Sequence, residues 1–456
     1  MTFDEQLRRL MGTAMLTVLS AGIAGNAIGQ NATTQNPAAQ NPAAQNPAAQ
    51  NASTPSPTAV PAVTDAGTSP PQSSPVTRPS ESLLTTTRLP NTSAIAQMLR
   101  SRSRAQLVRV PEMLGDFGIP GNQFVFFDST GPGVDAIGNV AAPVASGLNR
   151  MKVAEFNKAM PSDRIYATYH HYHNTGDAFV IVESTLANPD AVDIRNVSVN
   201  RWVLGTERTF ESGRSSIELR VPLGIADEIN VSSDPLPLSQ VATDASVLGN
   251  VGFILKRIAN AGHHHVVSYG LGIETPTGED GVLFAGSSLY EFGNDTVHLS
   301  PFLSMTARSC DGDWFTHGFA QIDTPLGGND VTITDRVNGG STLAGVLNDP
   351  TRLLLDTGVG RWLRQPHCNQ FGIAAIGELH LMTNLSSTDQ LAITRSGAFG
   401  PVTAASLPPV GTVLNTTLGV HLENSAGWHA RFATSAPLTT GQLFDTEIQV
   451  QIGRRF

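Results

Sequence analysis

The sequence predicts an all-β chain: an antiparallel, up-and-down transmembrane β-barrel of about twelve strands behind a disordered N-terminal tether. Three observations carry that expectation. Many segments alternate oily and polar residues over the length of a strand. The connections between them alternate short and long. Bulky aromatic residues fall beside the short connections.

The alternation is clearest at the end of the chain. Phe444, Thr446, Ile448, Val450, Ile452 and Phe456 share one face, and Asp445, Glu447, Gln449, Gln451 and Arg455 share the other. A period of two is a strand with one oily and one wet side. Arg454 interrupts the oily face near its end, where a long side chain can reach a polar interface. Elsewhere Ile217, Leu219, Val221 and Leu223 oppose Glu218 and Arg220, and Val267, Tyr269, Leu271 and Ile273 oppose Ser268 and Glu274. Phe371, Ile373, Ala375, Leu379 and Leu381 oppose Glu378 and His380, and Leu414, Leu418, Val420 and Leu422 oppose Asn415, Thr417, His421 and Glu423. The expected strands are 163–173, 197–210, 215–225, 248–258, 265–275, 296–308, 313–323, 351–363, 370–382, 411–423, 428–436 and 444–456. The first and the seventh alternate poorly. Most reach the about 9–11 residues that a tilted strand needs to cross a bilayer.

Connections 211–214, 259–264, 309–312, 364–369 and 424–427 are short, whereas 174–196, 226–247, 276–295, 324–350 and 383–410 are long. That segregation fits short periplasmic turns and long outer loops; only the connection before the last strand breaks it, by being short. Phe210, Trp314, Trp362, Phe371, Trp428 and Phe456 stand beside the short turns, as a membrane-interface belt would. Simple alternation points Trp362 inward.

The rest of the chain divides into three parts. Arg8 and Arg9 precede an apolar run ending near Ala27-Ile28-Gly29, so 1–29 reads as a cleaved export signal. Gln-Asn-Pro-Ala-Ala then repeats, and Ser, Thr and Pro dominate to residue 90. Such a stretch buries too little apolar surface to offset its ordering entropy, so 30–90 reads as a disordered linker. Within 91–160 a short helix is expected over 91–104, followed by an irregular periplasmic or plug segment with an apolar Phe124-Val125-Phe126-Phe127 patch. Residues 161–456 are the barrel. The expected address is the outer membrane of a Gram-negative envelope, with the tether periplasmic.

Composition removes other classes. The net charge is -10 and only Lys152, Lys158 and Lys256 are lysine, so no basic stripe is present for nucleic acid. His263-His264-His265 sits in a turn without nearby carboxylates and reads as a polar turn, not a metal site. No Ser/His spacing points to a lipase-like site. The expectation is a non-enzyme without catalytic residues, cofactor or metal. Cys310 and Cys368 lie in turns two strand spacings apart, about 10 Å. That is beyond the usual Cα reach of a disulfide, but turn tips can move, so the pairing stays open. The expected pore-lining residues are Glu218, Arg220, Glu274, Arg352, Asp356, Glu378, His380, His421, Glu423, Arg431, Glu447 and Gln449. They either set selectivity in an open lumen or pair with one another and fill it.

The ending Ile448-Gln449-Val450-Gln451-Ile452-Gly453-Arg454-Arg455-Phe456 resembles bacterial outer-membrane proteins. The resemblance makes Phe456 part of the signal read by the barrel-assembly machinery. Leu271-Gly272-Ile273-Glu274-Thr275-Pro276-Thr277-Gly278 resembles the phenol-degradation meta-pathway transporter-like barrels. The stretches 161–174 and 209–223 are similar to exported planctomycete barrel proteins of unknown substrate. These resemblances cover 160–456 and imply an outer-membrane barrel, with lipid as partner, that passes small solutes, hydrophobic or aromatic ones among them. An autotransporter-like translocator, or a structural barrel with a filled lumen, are the alternative readings.

Overall fold

The computed structural model describes residues 107, 109–116, 123–131, 134–142, 152–173, 178–184, 190–194, 199–226, 247–285, 288–335, 339–367, 370–387, 389–393, 402–406, 412–439 and 444–456. The export signal, the 30–90 linker, the 91–104 helix and Cys368 lie outside them.

Twelve strands close into an antiparallel barrel. They are β1 Arg164–His173, β2 Val199–Phe210, β3 Ser215–Ala226, β4 Gly252–Ala261, β5 His265–Glu274, β6 His298–Arg308, β7 Trp314–Pro325, β8 Arg352–Arg364, β9 Gly372–Asn384, β10 Thr412–Glu423, β11 Trp428–Pro437 and β12 Thr446–Arg455. Each pairs with the next in the chain, and β12 returns to β1 with Gln449 opposite His170 and Arg455 opposite Arg164. Closure leaves no free barrel edge. The fourth expected strand moves to later residues. Val247–Leu248 instead forms a separate two-residue strand on β3, and β4 begins at Gly252.

The alternation becomes an oily outside and a polar inside. On β12, Ile448 and Ile452 are more than half exposed, while Glu447, Gln449 and Gln451 are buried. Ile165, Leu204, Leu303, Leu418 and Phe432 continue the outward apolar surface on other strands. An apolar surface of this extent marks contact with lipid or protein. Phe210, Trp314, Phe371, Trp428 and Phe456 are exposed at the short-turn rim, and Trp362 is buried. Among the described residues no helix is long and apolar enough to cross a membrane.

The long connections carry strands of their own. Gly281–Ala285 and Ser288–Phe292 join Asn329–Asp335 and Gly340–Leu347 in a four-stranded sheet. A six-stranded sheet combines Ala178–Ser184 and Asp190–Ile194 from one long connection with Gln390–Ile393 and Val402–Ser406 from another. Its centre is a hairpin from before the barrel, Gln123–Gly131 and Val134–Ala142. The sequence reading had this stretch as irregular and periplasmic or plug-like. Within it, 123–131 and 134–142 are regular strands rather than irregular chain, paired with the long connections. Phe124 to Phe127 lie opposite Ala405 to Val402, partners too distant in sequence for local pattern to reveal.

Candidate functional site: an occupied lumen

The charged residues that alternation turns inward do not face an open channel. Two stretches of the segment preceding β1, 109–116 and 152–163, run through the barrel and touch each other where Met113 N donates to Asn157 O at 2.8 Å. Glu112, Asp116, Lys152, Glu155 and Lys158 on these passes are all at most 1 % exposed. Charges buried this deeply require partners, and the inner wall supplies them.

At the short-turn end Glu112 is the hub. Arg455 donates to both of its oxygens, at 3.0 and 2.8 Å, and Lys158 Nζ lies 2.9 Å away. Arg431 also pairs with Glu112. The surrounding wall is tied in: Glu423 accepts from Arg455 at 2.8 Å, His421 Nε2 lies 3.1 Å from Glu423, and Arg431 Nε donates to His421 Nδ1 at 3.1 Å.

The returning pass meets β1, β3 and β4. Arg220 donates to the carbonyls of Lys152 at 2.9 Å, Val153 at 3.4 Å and Glu155 at 2.7 Å, and to Glu218 at 2.9 Å. Arg164 bridges Glu207 at 2.7 Å and Glu218 at 3.0 Å, and also donates to Phe156 O. Lys256 Nζ reaches Asn157 Oδ1 at 2.6 Å, Lys158 O at 2.9 Å and Glu207 at 3.0 Å. Arg201 pairs with Glu155, and His170 sits between Glu447 at 2.6 Å and Glu155 at 3.4 Å.

Deeper in the barrel, Glu378 accepts from the backbone amides of Leu114 at 2.8 Å and Gly115 at 2.9 Å. Gln449 and Thr417 both donate to Gly115 O, at 2.9 and 3.0 Å. Asp116, Asp356 and His380 bring ligand atoms within 4.8 Å of one another, a spacing a metal ion could use. Lys152 Nζ, however, stands 2.5 Å from Asp116 and 3.5 Å from Asp356, so the chain places its own cation there.

Gly115 explains how the passes come so close. Its φ is +84°, and a Cβ there would lie 2.8 Å from the Glu155 Cα. Left-handed backbone costs an ordinary residue about 1–2 kcal/mol before any clash. Gly115→Ala should therefore raise amide hydrogen exchange over 111–116 by roughly tenfold or more. Exchange unchanged from the wild type would show that the passes do not depend on this approach.

Apolar contacts fill the space between the ionic layers. Val110 and Leu114 pack with Phe315, Trp362, Ala374, Ile376 and Ala433. Met113, Val153 and Ala154 pack with Ile254, Phe302 and Phe319.

The predicted inward residues are placed as follows. Glu218, Arg220, Arg352, Asp356, Glu378, His380, His421, Glu423, Arg431, Glu447 and Gln449 are buried, and most contact the inner passes or one another. Glu274 is half-buried and accepts from Asn250 at 3.3 Å. The sequence reading does not assign Glu112, Asp116, Glu155, Lys152 or Lys158 to the lumen, nor Arg164, Arg201, Glu207 or Lys256 to its wall; Arg455 it puts on the wet face of the last strand without naming it as pore-lining. One signal was available: two of the chain's three lysines fall in 152–158, in an otherwise lysine-free barrel region apart from Lys256.

At the short-turn mouth a polar cavity of about 390 Å³ is lined by Arg109, His263, His264, Arg308, Cys310 and Trp362 among others. Burial and then the nearby Arg308 push the His264 imidazole below its ordinary pKa. The Ser309 hydroxyl holds the Asp311 carboxyl down. Cys310 is exposed and free among the described residues; Cys368, its partner in the pairing that the sequence leaves open, lies outside them.

No protein-family model matches this chain, and no curated protein matches it. Among solved structures it is similar to an outer-membrane channel from Pseudomonas putida F1, at 10% identity and TM-score 0.39, over 67% of this chain and 100% of that one. It is also similar to the translocator domain of the autotransporter NalP from Neisseria meningitidis, at 11% identity and TM-score 0.38, over 65% and 89%. A third is the TodX monoaromatic hydrocarbon channel in a mutant form, at 10% identity and TM-score 0.35, over 68% and 93%. At these scores nothing about cargo is carried over to this chain.

Proposed function

We propose that the chain is an outer-membrane β-barrel channel for small solutes, closed at rest by its own N-terminal segment. The observation that carries the reading is the chemistry of the plug contact. A segment meant to stay for good is held well by apolar packing, since a buried ion pair adds little net stability over apolar residues of similar volume. Here two apolar clusters alternate with layers in which the passes meet the wall through carboxylates, guanidiniums and amines, groups that water can take over when the passes leave. Thr168 and Gln451, opposite each other across the β1–β12 seam, have buried polar atoms without a hydrogen-bond partner in the protein. The inner wall is thus built to be wet.

Mixed acids and bases across the lumen favour polar solutes; the hydrophobic or aromatic cargo rests only on the sequence resemblance. Residence in the outer membrane is supported by the oily exterior and the aromatic rim, and a role in barrel assembly for the exposed Phe456 remains part of this proposal. The translocator alternative is less favoured. Val110 lines the cavity at the short-turn mouth, the side on which the sequence reading puts the tether. Protease added to whole cells should leave 30–90 intact.

Planar-bilayer recording tests the whole reading. The chain from residue 30 should be mostly silent, and the chain from residue 160, which keeps all twelve strands, should give steady conductance steps. Equal steps from both would sink the plug; silence from both would sink the channel and leave a structural barrel.

A further inference from the structure

The outer wall carries a second feature that the channel reading leaves unused, a groove of about 530 Å³ across β12, β1, β2 and β3 near the short turns. That volume falls within the about 300–1,000 Å³ of ligand pockets. Strand register explains it. Ile452, Ala167, Leu204 and Val221 stand side by side on successive strands, and the next outward row runs Arg454, Ile165, Thr206 and Leu219. Ala167 and Thr206 are small among large neighbours, so the wall dips there. The Thr206 hydroxyl lies 3.3 Å from Arg164 O, which satisfies it on the backbone and leaves its methyl for the groove. Leu204 and Ile452, each about half exposed, form the sides.

The groove ends at a cation. The Arg454 guanidinium lies 5.4 Å from the Trp428 ring centre and 5.3 Å from that of Phe456. Among the described residues Arg454 forms no ion pair, whereas nearby Arg208 lies 3.8 Å from Asp163. An apolar trough leading to an uncompensated guanidinium at an aromatic rim fits an amphiphile with one acidic head. Guanidinium binds phosphate through two parallel N–H donors, and the rim aromatics set the head at the interface.

On the membrane reading above, we propose that this groove holds one phospholipid of the leaflet facing the short turns, its acyl chain over Ala167 and Thr206 and its phosphate on Arg454. The site is distinct from the lumen, because Arg454 and Ala167 point outward while the plug contacts point inward.

The test uses the full chain purified in detergent, washed, and loaded with phosphatidylglycerol. Native mass spectrometry then counts lipids bound to the wild type, Ala167→Phe and Arg454→Gln. The wild type should keep one lipid, and each variant should lose affinity by about tenfold. Equal retention in all three would overturn the proposal. Loss in Ala167→Phe alone would also overturn it, since the occupant would then be a neutral apolar molecule. Faster migration of unheated samples on gels reports an intact barrel for each variant, and Ala167→Leu replaces Ala167→Phe if the latter lacks it. If no form, wild type included, fractionates with outer membranes, the membrane reading itself has failed, and this shows separately from the lipid count.

Discussion

Glu112→Ala should turn a mostly silent barrel into a conducting one. Glu112 is the shared counter-ion of Arg431, Arg455 and Lys158, all buried. Without it Arg455 keeps Glu423, but Lys158 retains Val110 O at 3.0 Å and Arg431 retains neutral partners such as Met113 O at 3.2 Å. Arg431, Arg455 and Lys158, all buried, would then face one another without the carboxylate they share. Breaking a buried pair from one side costs about 3–5 kcal/mol. At about 1.4 kcal/mol per factor of ten, the ratio of closed to open barrels should fall by roughly 10²–10⁴. The penalty is relieved when the short-turn end of the plug leaves and water reaches the cations. Single-channel open probability reads this directly. Glu112→Gln, which keeps acceptor capacity and size, should give a smaller rise. A folded Glu112→Ala barrel as silent as the wild type would mean that something other than this segment closes the lumen.

Arg220→Ala should open the barrel by releasing the other pass. The Arg220 guanidinium holds the carbonyls of Lys152, Val153 and Glu155 while remaining anchored to Glu218. Its loss removes the donor from the buried Val153 and Glu155 carbonyls, at about 1–3 kcal/mol for each left unsatisfied, while Lys152 O keeps the Glu155 N–H at 3.3 Å. The wall itself survives, because Glu218 keeps Arg164 at 3.0 Å and the Tyr166 hydroxyl at 2.5 Å. Arg220→Lys should not rescue closure, because an ammonium cannot span the sites that a planar fork reaches. The double variant with Glu112→Ala is the sharper measurement. If the two passes leave as one unit, the second substitution adds little to an already open channel. Full additivity would mean that each pass moves alone.

The two substitutions differ in how far the sequence pointed to them. Arg220 was visible because Ile217, Leu219 and Val221 fix its face by alternation. Glu112 was not, because nothing local marks 109–116 as buried, and its two arginine partners lie more than three hundred residues away. The same segment also blurred the barrel pattern. β7 alternates poorly because Phe315 and Phe319 turn inward, against Val110 and Met113 of the plug. An apolar residue on a wet face is a misfit in an open pore and a contact in an occupied one. β12 and β10 alternate cleanly, and their expected bounds agree with the observed ones within two residues. The hairpin at 123–142 lay beyond sequence reading for another reason. Its partners belong to connections whose strands are short and irregular in pattern, and pairing between distant edges leaves no periodic trace.

That hairpin gives the plug a defined direction of travel. Both legs of the inner segment reach the short-turn mouth, one at residue 110 and the other where β1 begins at Arg164, while the turn between them is stitched by backbone bonds to Ala178–Ser184 and Val402–Ser406. A doubled strand with both legs on one side can be drawn out as a loop, without threading a chain end and without opening the β1–β12 seam. Pulling from the tether side would load the outer ladders in shear, all bonds together, whereas disturbing the outer connections would unzip them one pair at a time. If the segment is the plug proposed above, its latch should yield more readily to a disturbance of the long connections than to tension from the short-turn side.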